Sequence, residues 1–154
     1  MKRAASKKPK GAHGAKREAP SSHAHYQRGT RLEAQDAVAA RAAYEACLQG
    51  DCTHLAARIN LGRLLHADGL LKEAEALYRA ADEPSAILYF NLGVLLEDLQ
   101  REIEAIQAYR EAILHDPGMA DAHFNLSLVH ERLGEAQAAF RHLLAYRRLV
   151  QLYA

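Results

Sequence analysis

Apolar and small side chains recur along this chain in several series that keep one common spacing. Ala40, Ala74, Ala105 and Ala139 lie 34, 31 and 34 residues apart. Tyr44, Tyr78, Tyr109 and Leu143 repeat those intervals, and so do Cys47, Ala81, Ala112 and Tyr146. The triplets Asn60-Leu61-Gly62, Asn91-Leu92-Gly93 and Asn125-Leu126-Ser127 follow at 31 and 34. Independent series that share a period, including its one shortened interval, mark an internal repeat, and a repeat decides the fold before any single motif does. Local signals punctuate the period. Thr30-Arg31-Leu32-Glu33 reads as a capping box opening a helix, and Asp68-Gly69 and Leu133-Gly134 supply glycines that end a helix in a left-handed residue. The last segment carries Phe140, Leu143, Leu144, Tyr146, Leu149, Val150, Leu152 and Tyr153, an apolar surface around much of a helix.

These residues resemble the tetratricopeptide-repeat pattern: a helix A with Leu then a small residue, and a helix B with Ala, an aromatic and Ala, closed by Pro. The resemblance covers roughly residues 36 to 149, about three-quarters of the chain. It implies an all-α fold, an α-solenoid of antiparallel helix pairs in a short right-handed superhelix of about seven helices. A half repeat at 31–50 is expected first, its helix from about Arg31 to Gln49 standing as a helix B without its A. Three repeats follow at 55–84, 86–117 and 120–152, with helices near 55–67 and 70–82, 86–99 and 102–115, 120–133 and 136–152. Small residues at Gly62 and Ala74, or Gly93 and Ala105, let paired helices approach, the rings of Tyr78 and Tyr109 fill the wedge, and Pro84 and Pro117 stop helix B. The chain departs from the pattern between Ala81 and Leu88, three residues short, which clips a helix B. Ser127 replaces glycine, Tyr146 replaces alanine, and no separate polar capping helix follows.

In such repeats the concave face is built from helix A positions three or four residues apart. Here Asn60, Asn91 and Asn125 are expected to form a column of amides able to donate to and accept from an extended peptide backbone. Ile59, Phe90 and Phe124 offer apolar contacts beside them, with Val94 and Leu128 one turn on. This is similar to the asparagine ladder of the repeats in O-linked sugar transferases and some motor light chains. Asparagine at this slot can equally bond neighbouring backbone and orient helices. The carboxylate clamp of chaperone-tail binders is not expected, because its places hold Ile59, Phe90 and Asn125 and leave Arg63 as the one cation. The expected function is a non-enzymatic adaptor or scaffold for a protein or extended peptide.

Composition adjusts this picture in a few places. With 154 residues, 49% of them apolar, the chain suits one domain. Its net charge of +1 conceals a split: residues 1–29 carry net +7 and residues 30–154 net −6. The basic stretch is poor in large apolar residues and is expected to be a disordered tail attached to a domain at 30–154. Lys7, Lys8 and Lys10 within it give the competing reading, a nucleic-acid or transcription-associated factor binding phosphates weakly. The wording of the repeats also resembles the tail behind bacterial MerR-type regulators, though no helix-turn-helix precedes it. A solubilising leader, or one docked on the acidic body, is the plainer reading of the tail.

No secretory or membrane-spanning segment is expected, since the longest apolar run, Ala86 to Leu96, is broken by Asn91 and Gly93. Cys47 and Cys52 are too few for a disulfide framework and fit a reducing cytoplasm. With His54 and His66 they lack the paired spacing of a metal site, so no metal or cofactor is expected. No nucleophile, base and carboxylate converge in the pattern, and no enzyme is expected. The last helix is expected either to self-associate through Leu144, Leu149, Leu152 and Tyr153 or to fold back over its own core.

Overall fold

The computed structural model describes residues 19–152 of the chain. Eight helices follow one another: α1 (Ser22–Leu32), α2 (Ala37–Gly50), α3 (Leu55–Ala67), α4 (Leu71–Arg79), α5 (Ala86–Asp98), α6 (Glu102–His115), α7 (Ala120–Arg132) and α8 (Ala136–Leu152). Short turns pair α1 with α2, α3 with α4, α5 with α6 and α7 with α8, and each pair stacks on the next. Odd-numbered helices are the A helices and even-numbered ones the B helices. Among the described residues no helix is long and apolar enough to cross a membrane.

One contact is repeated in the first three pairs. A methyl carbon built on Gly29 would lie 2.5 Å from a ring carbon of Tyr44, on Gly62 2.2 Å from Tyr78, and on Gly93 2.5 Å from Tyr109. No such separation is possible between real carbons, so each A helix presents bare backbone to the tyrosine ring of its own B helix. The three rings are 0 to 1% exposed, and Ala40, Ala74 and Ala105, all at 0%, keep the facing side of each B helix equally small. In the fourth pair both partners change together. Ser127, whose hydroxyl donates to the Phe124 carbonyl at 2.6 Å, stands in the glycine place, and Leu143 stands in that of the ring.

The first pair corrects the expected half repeat. Residues 31–50 do not form a lone helix B: α2 has its A helix in α1, so four pairs are present rather than three and a half. Thr30 opens nothing. It lies inside α1 with its hydroxyl on the Gln27 carbonyl at 2.9 Å, and the N-cap is Ser21, which accepts from the Ala24 amide at 3.2 Å. Residues 22–29, assigned to the tail by composition, are helical because they have something to pack on: Tyr26 lies 4.6 Å from the His54 ring and 6.0 Å from Tyr44 between centroids. Residues 1–18 of the expected tail are outside the described residues.

The turns inside the pairs bear out the glycine signals. Gly69 and Gly134 both have φ of +75°. The equivalent residue between α5 and α6 is Gln100, at φ +59°, which nothing in the pattern announced. The shortened interval has its expected effect, as α4 has only nine residues and ends at Arg79, ahead of Pro84. The buried Arg58 compensates there. Its guanidinium donates to the Leu77 carbonyl at 3.0 Å, an acceptor that a longer α4 would have used, and to the Cys52 carbonyl of the α2–α3 loop at 2.6 Å. On the B side, Glu75, Arg79, Arg101 and Glu104 form an ion network across α4 and α6 with contacts of 2.6 to 3.2 Å. Burial pushes the Glu75 carboxyl up, but the two arginine hydrogen bonds outweigh it and hold it below its ordinary value.

Helix α8 has no fully buried residue. Leu144 and Leu149, expected at a self-association surface, are half-buried, and Leu152 is 78% exposed; Tyr153 is outside the described residues. Three histidines join α8 to α7. His123 Nδ1 lies 3.0 Å from His142 Nδ1, the His130 ring is parallel to that of His142 at 5.5 Å, and His130 Nδ1 is 2.5 Å from Glu135. Burial, then the neighbouring His123, His130, Arg110 and Arg141, push His142 down to about 4, and burial lowers His123 as well.

Two outcomes follow. Gly93→Ala should keep its helices by circular dichroism yet lower stability by about 1–3 kcal/mol, the usual cost of an overpacked core; a neutral result would mean the ring can move aside. The folded state also binds the His142 proton more weakly than the unfolded chain does, so stability is fully present above about pH 6.5 and declines toward pH 4. The melting temperature should therefore be lower at pH 5.0 than at pH 7.5, and His142→Phe should reduce that difference. An undiminished difference would place the titration elsewhere.

Candidate functional site

Four residues beyond the close-approach position of each A helix stand Glu33, His66, Glu97 and Glu131. In the first pair the Tyr44 hydroxyl donates to Glu33 and accepts from Asn60 Nδ2 of α3 at 3.1 Å. In the third pair the Tyr109 hydroxyl donates to Glu97 Oε1 at 2.5 Å and accepts from Asn125 Nδ2 of α7 at 3.0 Å. Each rung therefore ties the A and B helices of one pair to the A helix of the next. Burial first, and the bond to a carboxylate second, raise both phenols well above their ordinary pKa, so they remain donors at any physiological pH. Arg63 lies 4.0 Å from Glu33, and Arg132 pairs with Glu97.

The second pair breaks the series. Its carboxylate place holds His66, which bonds Asp98 of α5 at 2.6 Å instead of reaching the tyrosine. The two contacts occupy the same places with the acid on opposite sides: His66–Asp98 here, Glu97–Arg132 one repeat on. Tyr78 is 1% exposed and its hydroxyl has no hydrogen-bond partner among the described residues. Burial pushes its pKa up to about 12. A buried hydroxyl without a partner is uncommon, because its lost hydration is not replaced.

The structure places the expected site residues along the A helices as follows. Asn60, Asn91 and Asn125 are half-buried, but Asn60 and Asn125 each commit an amide proton to a tyrosine. Ile59, Phe90 and Val94 are half-buried against the core, and Phe90 packs on Tyr109 at 5.8 Å. Phe124 and Leu128 are 39% and 37% exposed, and Phe124 rests on Tyr146 at 5.1 Å. Arg63 is exposed as expected but is joined by Arg132 as a second cation. The roles of Glu33, Glu97 and His66 were missed. The signal was present as a fixed offset of four from each glycine, obscured because one of the three members is a different residue type. Lys7, Lys8 and Lys10 are outside the described residues. Cys47 is buried in α2, where burial raises its thiol pKa, and Cys52 is exposed. Among the described residues no group of three or more His, Cys, Asp or Glu side chains is placed to hold a metal ion.

A sequence model of the family described as "Tetratricopeptide repeat" matches residues 90–153. Protein O-mannosyl-transferase TMTC3 of Homo sapiens is 36% identical over 94 residues, covering 57% of this chain and 10% of that protein. The chain thus spans about a tenth of the length of this curated relative. Among solved structures, the crystal structure of MamA protein superposes with a TM-score of 0.75 at 24% identity, covering 84% of this chain and 73% of that one. YrrB, titled a TPR protein with an unusual peptide-binding site, superposes at 0.71 with 18% identity, covering 82% and 67%. At these identities the structural likeness concerns the fold.

The rungs make a stability prediction. Tyr109→Phe, which deprives Glu97 and Asn125 of a partner, should cost about 1–2 kcal/mol, whereas Tyr78→Phe should be neutral or stabilising. Equal losses in thermal unfolding would mean that the Tyr78 hydroxyl is bonded in solution.

Proposed function

With residues 90–153 matching the tetratricopeptide-repeat family and the whole fold like that of MamA and YrrB, we propose that this chain is a non-enzymatic adaptor that holds a partner protein, as an extended segment, along the side formed by its A helices. One observation carries the reading. Apolar side chains on that side stay open to solvent next to the asparagine column, with Ile87 56%, Phe124 39% and Leu128 37% exposed. An exposed apolar row rimmed by amides is what an extended chain needs, apolar contact for alternate side chains and hydrogen bonds for its backbone. The likeness to YrrB, whose title names a peptide-binding site, supports the same reading. The transferase activity in the name of the curated relative belongs to a protein about ten times the matched length, and we assign none to this chain. Unbridged Cys47 and Cys52 support a cytoplasmic setting.

Affinity capture tests this with full-length bait at high salt. The variant combining Asn91→Ala, Phe124→Ser and Leu128→Ser alters side chains that make no rung, so it should remain helical by circular dichroism and lose its partner. Ile103→Ser, on the B side and 63% exposed in the native chain, should retain it. Loss in both variants, or in neither, would move the partner off the A side.

A further inference from the structure

The broken second rung carries a more specific statement about the ligand. In rungs one and three a buried tyrosine hydroxyl is satisfied by a carboxylate from the chain itself, Glu33 or Glu97. In rung two the same hydroxyl, on Tyr78, has no acceptor among the described residues, and Asn91, the counterpart of Asn60 and Asn125, makes no bond to it. The molecule therefore displays, twice, the group that completes this arrangement, and lacks it once, in the middle of the asparagine column.

We propose that the second rung is the specificity subsite of the adaptor: it takes an aspartate or glutamate side chain of the bound segment, which accepts from the Tyr78 hydroxyl and pairs with Arg63. The proposal rests on the peptide-holding reading above and names the chemistry of the peptide. Arg63 is 54% exposed at its side chain and lines, with His66 and Asp98, an open hollow of about 530 Å³. The acids around it are already engaged, Glu33 by Tyr44, Glu97 by Tyr109 and Arg132, and Asp98 by His66. Arg63 reaches its own nearest acid only at 4.0 Å, which leaves most of its donor capacity for a ligand. Because Tyr78 is 1% exposed, the incoming carboxylate must displace a side chain. His66, held by a single hydrogen bond to Asp98, whose side chain is itself 60% exposed, gives way at little cost. Completing the rung replaces an unpaired donor with a charge-assisted hydrogen bond, and that class of bond discriminates strongly between a carboxylate and its neutral amide.

The test uses full-length protein and a library of extended heptapeptides, acetylated and amidated so that no terminal carboxylate is present. The native chain should enrich Asp or Glu over Asn or Gln at one position by about tenfold, the factor expected of roughly one hydrogen bond. Tyr78→Phe and Arg63→Ala should abolish that preference. His66→Glu supplies the acceptor from within, so it should abolish the preference while raising the melting temperature, a result that loss of folding cannot imitate. Peptide capture with no acidic preference, or a preference that survives Tyr78→Phe and His66→Glu, overturns the subsite and leaves the adaptor standing. Failure to enrich any peptide removes both.

Discussion

The structure depends on one steric constraint, the approach of a tyrosine ring to a helix backbone closer than any side chain would allow. Gly29, Gly62 and Gly93 have no room for a methyl group, and the rings that occupy that room are among the largest buried side chains. The contact sets the separation within each pair and fixes its register, because the ring can sit only over the glycine. It also delivers the phenol oxygen to the far side of the A helix, where the next repeat begins. Packing and polar bonding are thus consequences of the same residue. In the fourth pair the release of the constraint at Ser127 is matched by the loss of the ring at Leu143, as a steric requirement shared by two positions demands.

Most of this architecture was legible in the sequence because its determinants are small, apolar and periodic. The helices α3 to α8 and the shortened α4 fall close to where spacing placed them. What escaped depended on tertiary context. Helix α1 is polar and short of apolar residues, and Tyr26, Gly29 and Leu32, packing against the core, give it a reason to fold; local composition reads most of the same residues as tail. Thr30 and Glu33 matched a capping box by type, but Glu33 is taken by Tyr44 from another helix. Gln100 occupies a left-handed turn without the glycine that would have signalled it.

The positions of the expected site residues were legible in the sequence; the hydrogen bonds that Asn60 and Asn125 make to tyrosines inside the fold were not. The asparagine column lies where helical spacing put it, yet two of its three members serve the stacking of repeats as well as any ligand. The proposed binding face and the interior scaffold are therefore not separate layers. Side chains such as Phe90, half-buried against Tyr109 and half-open, belong to both, and a change there is felt in stability and in binding together. The residues that distinguish one repeat from another are those at the glycine-plus-four position, where a single histidine alters what its tyrosine can reach.

That histidine also has a mechanical meaning. Closed rungs pin the first pair to the second and the third to the fourth, while the junction between second and third, which contains the nine-residue α4, has the His66–Asp98 bond on its A side in place of a tyrosine rung. On the B side the same junction is strapped by Glu75, Arg79, Arg101 and Glu104. The stack is therefore held unevenly at its middle, by four charged side chains along one edge and a histidine–aspartate bond along the other. A change of curvature along the stack would meet least resistance at the α4–α5 connection, where among the described residues the tyrosine ladder is incomplete.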